Sequence, residues 1–554
     1  MSDRFATHTV TNQVPPLTDV NLFASDIALT EAVTREGATH ASRILNAFGL
    51  TAGSEEAREL ATFANRHVPD LSTHDRHGRR LDVVSYHPSY HELMRISCAE
   101  GLSNSVWSHL GPPGSAPDKA AHVIRAANLY LAAQMEPGHC CPLTMTNAAV
   151  PVILGNQQLA RDWLPLILSR TYDARFEPAA EKAGVTIGMG MTEKQGGTDV
   201  RASTTRAVRG VGDLYTLTGH KWFLSAPMSD AFLVLAQAEG GLSLFFVPRF
   251  LPDGSVNAIR FQRLKNKLGN RSNASSEAEF HEAGGWLVGE EGRGVSNIVE
   301  MLTYCRLDCA ISSAGLMRSA VSLAVHHAEH RFSGGRALIG EPLMQQVLAD
   351  LTLDVEAAVA LSFRLARSFD RARDPRAAAW RRLMTPVTKY WVTKIAAPLI
   401  AEAMECLGGN GYVEDWPVAL LYREAPVNAI WEGSGNVMAL DVLRVLQKEP
   451  AVVELVTDEL RAASSGDPAL SGAFERLLAV LHEPRLLDVR ARQLVEALAK
   501  LAGAAILRSQ GNAAVADAFI ATRILGGPRS TYGQGLENFE LKAILGRSTP
   551  NRAG

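Results

Sequence analysis

Three short segments of the chain contain residue types that do chemistry rather than fill a core. They are GMGMTEKQGGTDV at 188–200, HKWFLSAP at 220–227 and ECLGGNGYVEDWPVALLYREAPVNAIWEGSGNV at 405–437. In the first, glycines let the backbone approach a ligand, and neighbouring N–H groups with threonine hydroxyls suit an anionic cofactor that forms many hydrogen bonds. By itself, however, this segment fits an ordinary turn better than a ligand cradle.

The second segment places Trp222, Phe223 and Ser225 close together in a strand pattern. Alternate residues of a strand point to the same side, so Phe223 and Ser225 share one face. An aromatic face can stack on a planar ring while a hydroxyl beside it forms a hydrogen bond. Core packing of the aromatic residues is the simpler explanation of this segment alone.

The third segment contains a glycine-rich loop with Gly408 and Gly409, and later Glu432 between Trp431 and Gly433. A carboxylate beside an indole can be partly removed from water, which raises its pKa and suits a general base. Many glutamates beside a tryptophan have no such role. The residues alone therefore leave both interpretations open.

The hydrophobic pattern indicates which elements position these segments. It is helical from about residue 40 to 180, changes to short β-branched and aromatic runs, and becomes helical again from about residue 293. We therefore expect an α+β, mainly α fold. The predicted parts are an arm (1–40), a helical domain (41–182), an antiparallel β domain (183–290), a helical bundle (291–445) and a C-terminal helical domain (446–554) entered near the linker-like SSGDPALSG.

The composition excludes several classes of protein. With 554 residues, 55 Lys and Arg, 58 Asp and Glu and 46% hydrophobic residues, the chain is neither disordered, collagen-like nor a small disulfide scaffold. Its six irregularly spaced cysteines predict neither a disulfide framework nor a metal site. We find no apolar leader and no stretch of ~18 apolar residues. These patterns favour a cytoplasmic protein without a membrane segment.

The charge is unevenly distributed along the chain. From Arg485 onward there are ten basic and five acidic residues, so this stretch carries +5 while the whole chain carries −3. A basic end on an acidic body can contact a polyanion. On charge alone, an ordinary solvated surface is the better interpretation.

Together, and in this order around a β domain, the three segments resemble the acyl-CoA dehydrogenase family over roughly residues 60–445. MTEKQGGTD is similar to the family's flavin-binding strand, KWFLS to the strand beside the isoalloxazine, and ECLGGNGY through WEGSG to the loop that ends in the catalytic glutamate. The resemblance implies FAD as cofactor and acyl-CoA as substrate. It implies that Glu432 removes the α-proton while the β-hydrogen leaves as hydride to the flavin.

The resemblance also implies a set of cofactor contacts, and it implies no metal. The implied cofactor-binding residues are Met191, Thr192, Gly197, Thr198, Phe223, Leu224, Ser225, Arg331, Gly408, Gly409, Ile430, Trp431, Gly433, Ser434 and Asn436. In the family, the positions of Arg331, Gly408 and Gly409 reach FAD across a subunit interface, which implies a homo-oligomer. Lys194, Glu405 and the Ala226-Pro227 pair depart from the family pattern, which puts the substrate tunnel in more doubt than the fold.

The arm and the C-terminal extension resemble the AidB-type subfamily, flavoproteins of the bacterial adaptive response to DNA alkylation. This implies a homotetramer with weak acyl-CoA dehydrogenation that binds double-stranded DNA and protects it from alkylating agents or deactivates them. The candidate phosphate contacts are Arg444, Arg485, Arg490, Arg492, Lys500, Arg508 and Arg523. One alternative is a metabolic acyl-CoA dehydrogenase that passes electrons to an electron-transfer flavoprotein. Another is a non-enzymatic, DNA-shielding flavoprotein.

Overall fold

The computed structural model describes residues 7–111, 118–481, 483–509, 512–527 and 530–550. The first six residues of the predicted arm lie outside these ranges, as do Arg529 and Arg552 of the basic C-terminal stretch. Helices precede and follow a β domain, which confirms the predicted mainly helical α+β fold. Within the described ranges, no helix is both long and apolar enough to cross a lipid bilayer.

The N-terminal part is a layer of helices. They are α1 (Ile27–Arg35), α2 (Ser42–Ala52), α3 (Glu55–Arg66), α4 (Pro88–Ala99), α5 (Ala121–Met135), α6 (Cys140–Ile153) and α7 (Gln157–Ile167). Helix α1 begins after Asp26, whose side chain accepts the backbone N–H of Leu29 and so caps the first turn. The predicted arm is therefore irregular only up to this cap, and its last part is a helix that packs into the core.

A β-hairpin interrupts these helices where the sequence indicated only a helical pattern. Strands β1 (Asp70–His74) and β2 (Arg80–Ser85) pair antiparallel, and the Asp75 side chain accepts two backbone N–H groups of the turn. Arg80 donates to the carbonyl of Phe261 at 2.7 Å, which holds the hairpin against the β domain. Two short strands with mostly partly exposed residues give only a weak alternation, which is why the sequence did not predict them.

The middle of the chain forms one sheet that closes on itself. Its strands are β3 (Ile187–Gly190), β4 (Arg206–Arg209), β5 (Leu214–Ser225), β6 (Ala231–Ala238), β7 (Gly241–Pro248), β8 (Ile259–Leu264) and β9 (Ser275–Val288). Strands β4, β5, β9, β7 and β6 pair in that order, and β6 returns to β4. The sheet is antiparallel as predicted, except that β6 pairs parallel with β3 and β4. Phenylalanines fill its interior, including Phe232, Phe245, Phe261 and Phe280.

Long helices form the bundle that follows. The elements are α8 (Gly294–His330), β10 (Phe332–Ser333), β11 (Arg336–Ala337), α9 (Pro342–Asp370), α10 (Pro375–Cys406), α11 (Gly409–Tyr412) and α12 (Pro417–Asn428). Helices α8, α9 and α10 pack on one another, and α5 and α6 pack on α8. A buried ion pair between Arg125 and Asp308, at 2.7 Å, joins α5 to α8. At 37 residues, α8 is ~55 Å long and spans the molecule.

The C-terminal helices belong to the same body. They are α13 (Gly435–Lys448), α14 (Pro450–Ser464), α15 (Pro468–Leu481), α16 (Leu487–Ser509), α17 (Ala513–Phe519) and α18 (Leu541–Leu545). Helix α16 packs against α9, α10 and α13, and Arg547 pairs with Glu31 and Glu356. The linker-like segment is only a tight turn between α14 and α15, where Asp467 accepts the N–H of Ala469 and of Leu470.

Candidate functional site

A β-bulge in β5 brings the aromatic segment to the surface. Lys221 pairs with Ala278 and Leu224 with Ser276, so β5 has one more residue than β9 across this stretch. The Phe223 side chain is 46% exposed as a result. The side chain of Leu224 is fully buried in the β core, so of the predicted cofactor contacts this one is restricted to its backbone.

The backbone turns sharply just after the exposed aromatic ring. Ser225 lies 3.3 Å from the Ser275 hydroxyl, and the next residue, Ala226, has φ +50°. A residue with a side chain seldom adopts this left-handed conformation, and such strained positions concentrate at functional sites. A cavity of about 270 Å³ adjoins Ala226 and is lined by Tyr86, Tyr90 and other aromatic and methionine side chains.

The loop after β3 lies against the bulge. The backbone N–H of Trp222 donates to the backbone carbonyl of Thr192 at 2.8 Å. This bond places Met191 and Thr192 beside the start of the aromatic segment. A Cβ on Gly197 would come within 2.5 Å of the Thr192 hydroxyl, so only glycine fits there. The predicted contacts of this loop, including the exposed Thr198, are therefore brought together with Phe223.

Two residues that we did not predict as site residues hold this loop. Glu193 and Lys221 are both buried and form an ion pair at 2.7 Å. Glu193 also accepts from the backbone N–H and hydroxyl groups of Thr204 and Thr205. Burial alone would raise the pKa of Glu193, but Lys221 and these hydrogen bonds hold it well below its ordinary value. The sequence gives no signal for this pairing, because the partners lie on different elements.

The Glu432 loop is held by two buried cations. Lys389 of α10 donates to the carbonyls of Trp431, at 2.9 Å, and Gly433, while Arg306 of α8 donates to the carbonyl of Glu432 at 3.0 Å. Three consecutive carbonyls thus accept from charged donors, and such hydrogen bonds are stronger than neutral ones. They stabilise Glu432 in a left-handed conformation, with φ +57°.

One oxygen of the Glu432 carboxylate is buried without a nearby hydrogen-bond donor in the described part of the chain. Within the described residues its buried Oε2 atom has no hydrogen-bond partner. Burial raises the pKa of Glu432, and the positive charges of Lys389 and Arg306 oppose that shift. A desolvated carboxylate of raised pKa fits a general base.

Three buried thiols lie near this carboxylate. Burial raises the pKa of Cys141, Cys305 and Cys309, and the charge of Glu432 raises each further. For Cys309 the pKa is about 12. Neutral thiols behave as small apolar groups with a weak S–H donor, so they lie near Glu432 without stabilising its negative charge strongly.

The end of the Glu432 loop is the start of α13. Ser434 precedes this helix without a side-chain cap, so its first N–H groups are available to an anion. A Cβ on Gly435 would lie 2.7 Å from the Lys394 side chain, which shows how closely that cation approaches. Ser434 and Asn436 are exposed here, and Ile430 is 66% exposed on the same loop.

Arg331, Gly408 and Gly409 are not part of this cluster. Arg331 lies 25 residues along α8 from Arg306, a separation of ~37 Å. It donates to the carbonyl of Asn12 in the arm. Gly408 has φ +60° and ψ −141°, which requires glycine, and a Cβ on Gly408 or Gly409 would meet no atom within 4 Å. The end of α10, just before Gly408 and Gly409, lies 17 residues or ~25 Å along the helix from Lys389. The chain therefore does not bring these three residues to its own Glu432.

Five of the seven predicted DNA contacts have a carboxylate neighbour, although the neighbour of Arg444, Asp441, also pairs with Arg306 and Arg382. The pairs are Arg444 with Asp441, Arg490 with Glu483, Lys500 with Glu496, Arg508 with Asp467 and Asp517, and Arg523 with Asp350 and Asp354. The Arg523 side chain is only 6% exposed and lies between two aspartates, so in this structure it does not face solvent where DNA would bind. Among the described residues, Arg485 and Arg492 are exposed and have no carboxylate partner. Arg492 donates to the Tyr390 hydroxyl at 3.1 Å, beside Gly435.

The sequence matches three family profiles along its length. Residues 12–174 match "Adaptive response protein AidB N-terminal domain", residues 188–283 match "Acyl-CoA dehydrogenase, middle domain" and residues 292–447 match "Acyl-CoA dehydrogenase, C-terminal domain". The chain is 50% identical to AidB of Escherichia coli K12, an acyl-CoA dehydrogenase by name, over 86% of this chain and 87% of that one. It is 34% identical to acyl-CoA dehydrogenase family member 11 of Caenorhabditis elegans, over 71% and 64%.

Solved structures give the same relationship. The C. elegans protein ACDH-11, in complex with C11-CoA, superposes with a TM-score of 0.85 at 27% identity, covering 96% of each chain. The apo form of Bd2924 superposes with a TM-score of 0.82 at 26% identity, covering 90% of this chain and 99% of that one. Each superposition covers more of this chain than residues 12–447, so each includes at least part of the C-terminal helices.

Proposed function

The chain belongs to the acyl-CoA dehydrogenase family, and from this premise we propose that it is an AidB-type FAD flavoprotein that oxidises acyl-CoA weakly and binds double-stranded DNA. The observation that carries the catalytic part is the Glu432 loop. A buried carboxylate oxygen there faces no donor within the described residues, while buried cations fix the backbone on either side of it.

The residues present fit FAD. Phe223 offers an exposed ring next to a left-handed turn, where a planar ring system can stack. The glycine-rich loop with Thr198 and the uncapped start of α13 beside Lys394 offer donors for a diphosphate.

In the proposed reaction the α-proton of the thioester passes to Glu432 and the β-hydrogen leaves with its electron pair, for which bound FAD supplies the acceptor. Glu432 accepts a proton readily because burial raises its pKa. Lys389 and Arg306 hold the loop so that the carboxylate keeps its place relative to the substrate. The cavity beside Ala226 has aromatic and methionine side chains on part of its lining, which supply apolar surface for an acyl chain, and polar side chains such as Asp173 on the rest.

The separation of the two clusters supports an oligomer. Arg331 lies ~37 Å from Arg306 along α8, and Gly408 and Gly409 follow the far end of α10. A Cβ on either glycine would meet no described atom within 4 Å, so a second subunit can offer its cofactor there. We propose a homotetramer, as the resemblance implies, in which each FAD contacts two chains.

The substitution Glu432→Gln tests the catalytic part. We expect acyl-CoA oxidation, followed by dye reduction, to fall on the order of 10²- to 10⁴-fold, because the base is lost. FAD content should stay unchanged. Ionising a carboxyl whose pKa is raised costs folding free energy as the pH rises above ~4.3, so the neutral amide does not destabilise the fold at neutral pH. Unchanged turnover in a fully flavinylated variant would show that another residue is the base.

The DNA-binding part rests on the AidB relationship and on the unpaired surface cations. Arg485 and Arg492 are exposed without a carboxylate partner among the described residues. Arg492 also lies next to the start of α13, so a bound duplex would pass close to the cofactor site. In this position DNA is shielded from alkylating agents, or such agents are deactivated at the flavin.

A titration of fluorescent duplex at several salt concentrations tests this part. We expect affinity to fall linearly with salt on a log–log plot, because phosphate contacts release counterions. If no duplex binds even at low ionic strength, the metabolic alternative replaces it, and an electron-transfer flavoprotein should then be reduced at a rate that matches dye reduction. If the Glu432→Gln variant protects DNA as well as the parent protein does, the non-enzymatic alternative is favoured.

A further inference from the structure

The last turn of α8 carries a group of potential metal ligands far from the Glu432 loop. A ring nitrogen of His326, a carboxylate oxygen of Glu329 and a ring nitrogen of His330 lie within 4.8 Å of one another. The spacing explains this, since two histidines four residues apart lie on one face of a helix and a glutamate between them lies next to the same face. The sequence contains this spacing in His326-His327-Ala328-Glu329-His330.

Both imidazoles are held by backbone carbonyls. His326 Nε2 lies 2.8 Å from the carbonyl of Pro15, and His330 Nδ1 lies 2.9 Å from the carbonyl of His326. A neutral imidazole that donates from one nitrogen carries its lone pair on the other. A carbonyl partner of this kind commonly fixes the ring and tautomer of a metal-binding histidine.

We infer that His326, Glu329 and His330 bind a divalent transition-metal ion of the zinc type, which would fix the arm to the end of α8. Two imidazoles and a carboxylate suit Zn²⁺, and three protein ligands leave a position for water. The arm crosses at this point, because Pro15 contacts His326 while Asn12 bonds to the backbone of Phe332. An ion on His326 therefore stabilises the segment that carries Pro15.

Isothermal titration of the FAD-loaded, EDTA-treated protein with ZnCl₂ tests the inference. We expect one Zn²⁺ per chain, no comparable binding of Mg²⁺, and a Zn²⁺-dependent rise in Tm. His330→Ala and Glu329→Gln should each weaken binding by at least roughly 10- to 100-fold, the loss that even an outer partner of a metal ligand causes. Within the described residues the arm is held by His326 and Arg331 rather than by these two side chains, so neither variant should release it.

The matched control is His281→Ala. His281 also lies beside a glutamate, 3.4 Å from Glu279, but within the described residues no third metal-binding side chain lies close to this pair. This variant should bind Zn²⁺ as the parent protein does. The inference fails if the parent protein shows no saturable Zn²⁺ binding. It also fails if the His330 and Glu329 variants bind as tightly as the parent, or if Mg²⁺ binds equally well.

Discussion

Cationic side chains have different partners in two regions of the molecule. Around the Glu432 loop, Lys389 and Arg306 donate to backbone carbonyls, and Arg306 also pairs with Asp441. The Glu432 carboxylate beside them keeps one oxygen without a donor in the described residues. In the C-terminal helices, arginines and lysines pair mostly with aspartates and glutamates. The first arrangement leaves the Glu432 carboxylate available as a base, whereas in the second the cations of the C-terminal helices are paired with carboxylates.

This difference shows what a charge count can and cannot indicate. The +5 balance after Pro484 suggests an anion-binding surface, but most of the candidate cations there already have a carboxylate neighbour. The Glu432 loop carries no unusual charge in the sequence, yet burial strengthens the electrostatic interactions of the few charged groups around it. The location of each charge, rather than the net charge, decides what a region can do.

The largest effect is expected from Arg523→Met. This side chain is buried between Asp350 and Asp354, so its removal takes away a buried cation that pairs with both carboxylates. Breaking a buried ion pair in this way destabilises a protein by about 3–5 kcal/mol. Urea denaturation should show the loss, while duplex binding by the folded fraction should not change.

The matched control for this change is Arg508→Met. Arg508 also pairs with two aspartates, Asp467 and Asp517, but its side chain is 34% exposed. Exposed pairs contribute about 0–1 kcal/mol each, so its loss should be much smaller. Equal destabilisation by the two variants would mean that burial does not separate the two classes of cation.

A smaller loss of stability, but a specific one, is expected from Lys389→Met. The change removes the one ammonium group that donates to the carbonyls of Trp431 and Gly433. We expect a cost of about 1.5–3 kcal/mol, the contribution of a hydrogen bond to a charged group, because the buried ammonium also loses its desolvation penalty. It should also lower turnover roughly 100-fold by misplacing Glu432. Denaturation and dye reduction measure the two effects.

Lys394→Met is the matched control, one and a half turns along the same helix and exposed. It approaches Gly435 rather than the carbonyls of the loop, so FAD content should fall while turnover per bound FAD is retained. If Lys389→Met turned over as fast as this control, the backbone hydrogen bonds would not position the base.

The sequence predicted the fold better than it predicted the site. Helical and strand patterns were sufficient for the order of the elements, and the three segments were sufficient to recognise the family. What the sequence did not indicate depends on contacts between distant elements. Arg523 and Arg485 look alike in the sequence, but only Arg523 meets two aspartates on α9. Lys389 gave no signal, because its partners lie 42 and 44 residues away.

The smallest effect expected concerns the two surface cations that have no carboxylate neighbour in the described part of the chain. Replacing Arg485 and Arg492 by Ala should flatten the log–log salt dependence of duplex binding by about 0.9 for each phosphate that the variant no longer neutralises. Arg490→Ala is the control, because Arg490 lies on the same helix as Arg492 but pairs with Glu483 at 2.9 Å. It should change the slope less, since its charge is already partly neutralised. If Arg490→Ala flattens the slope as much as replacing Arg485 or Arg492 does, the ion pairs of the C-terminal helices break when DNA binds. The cations beside Glu432 would then differ from the C-terminal cations in how rigidly they are held rather than in which groups they contact.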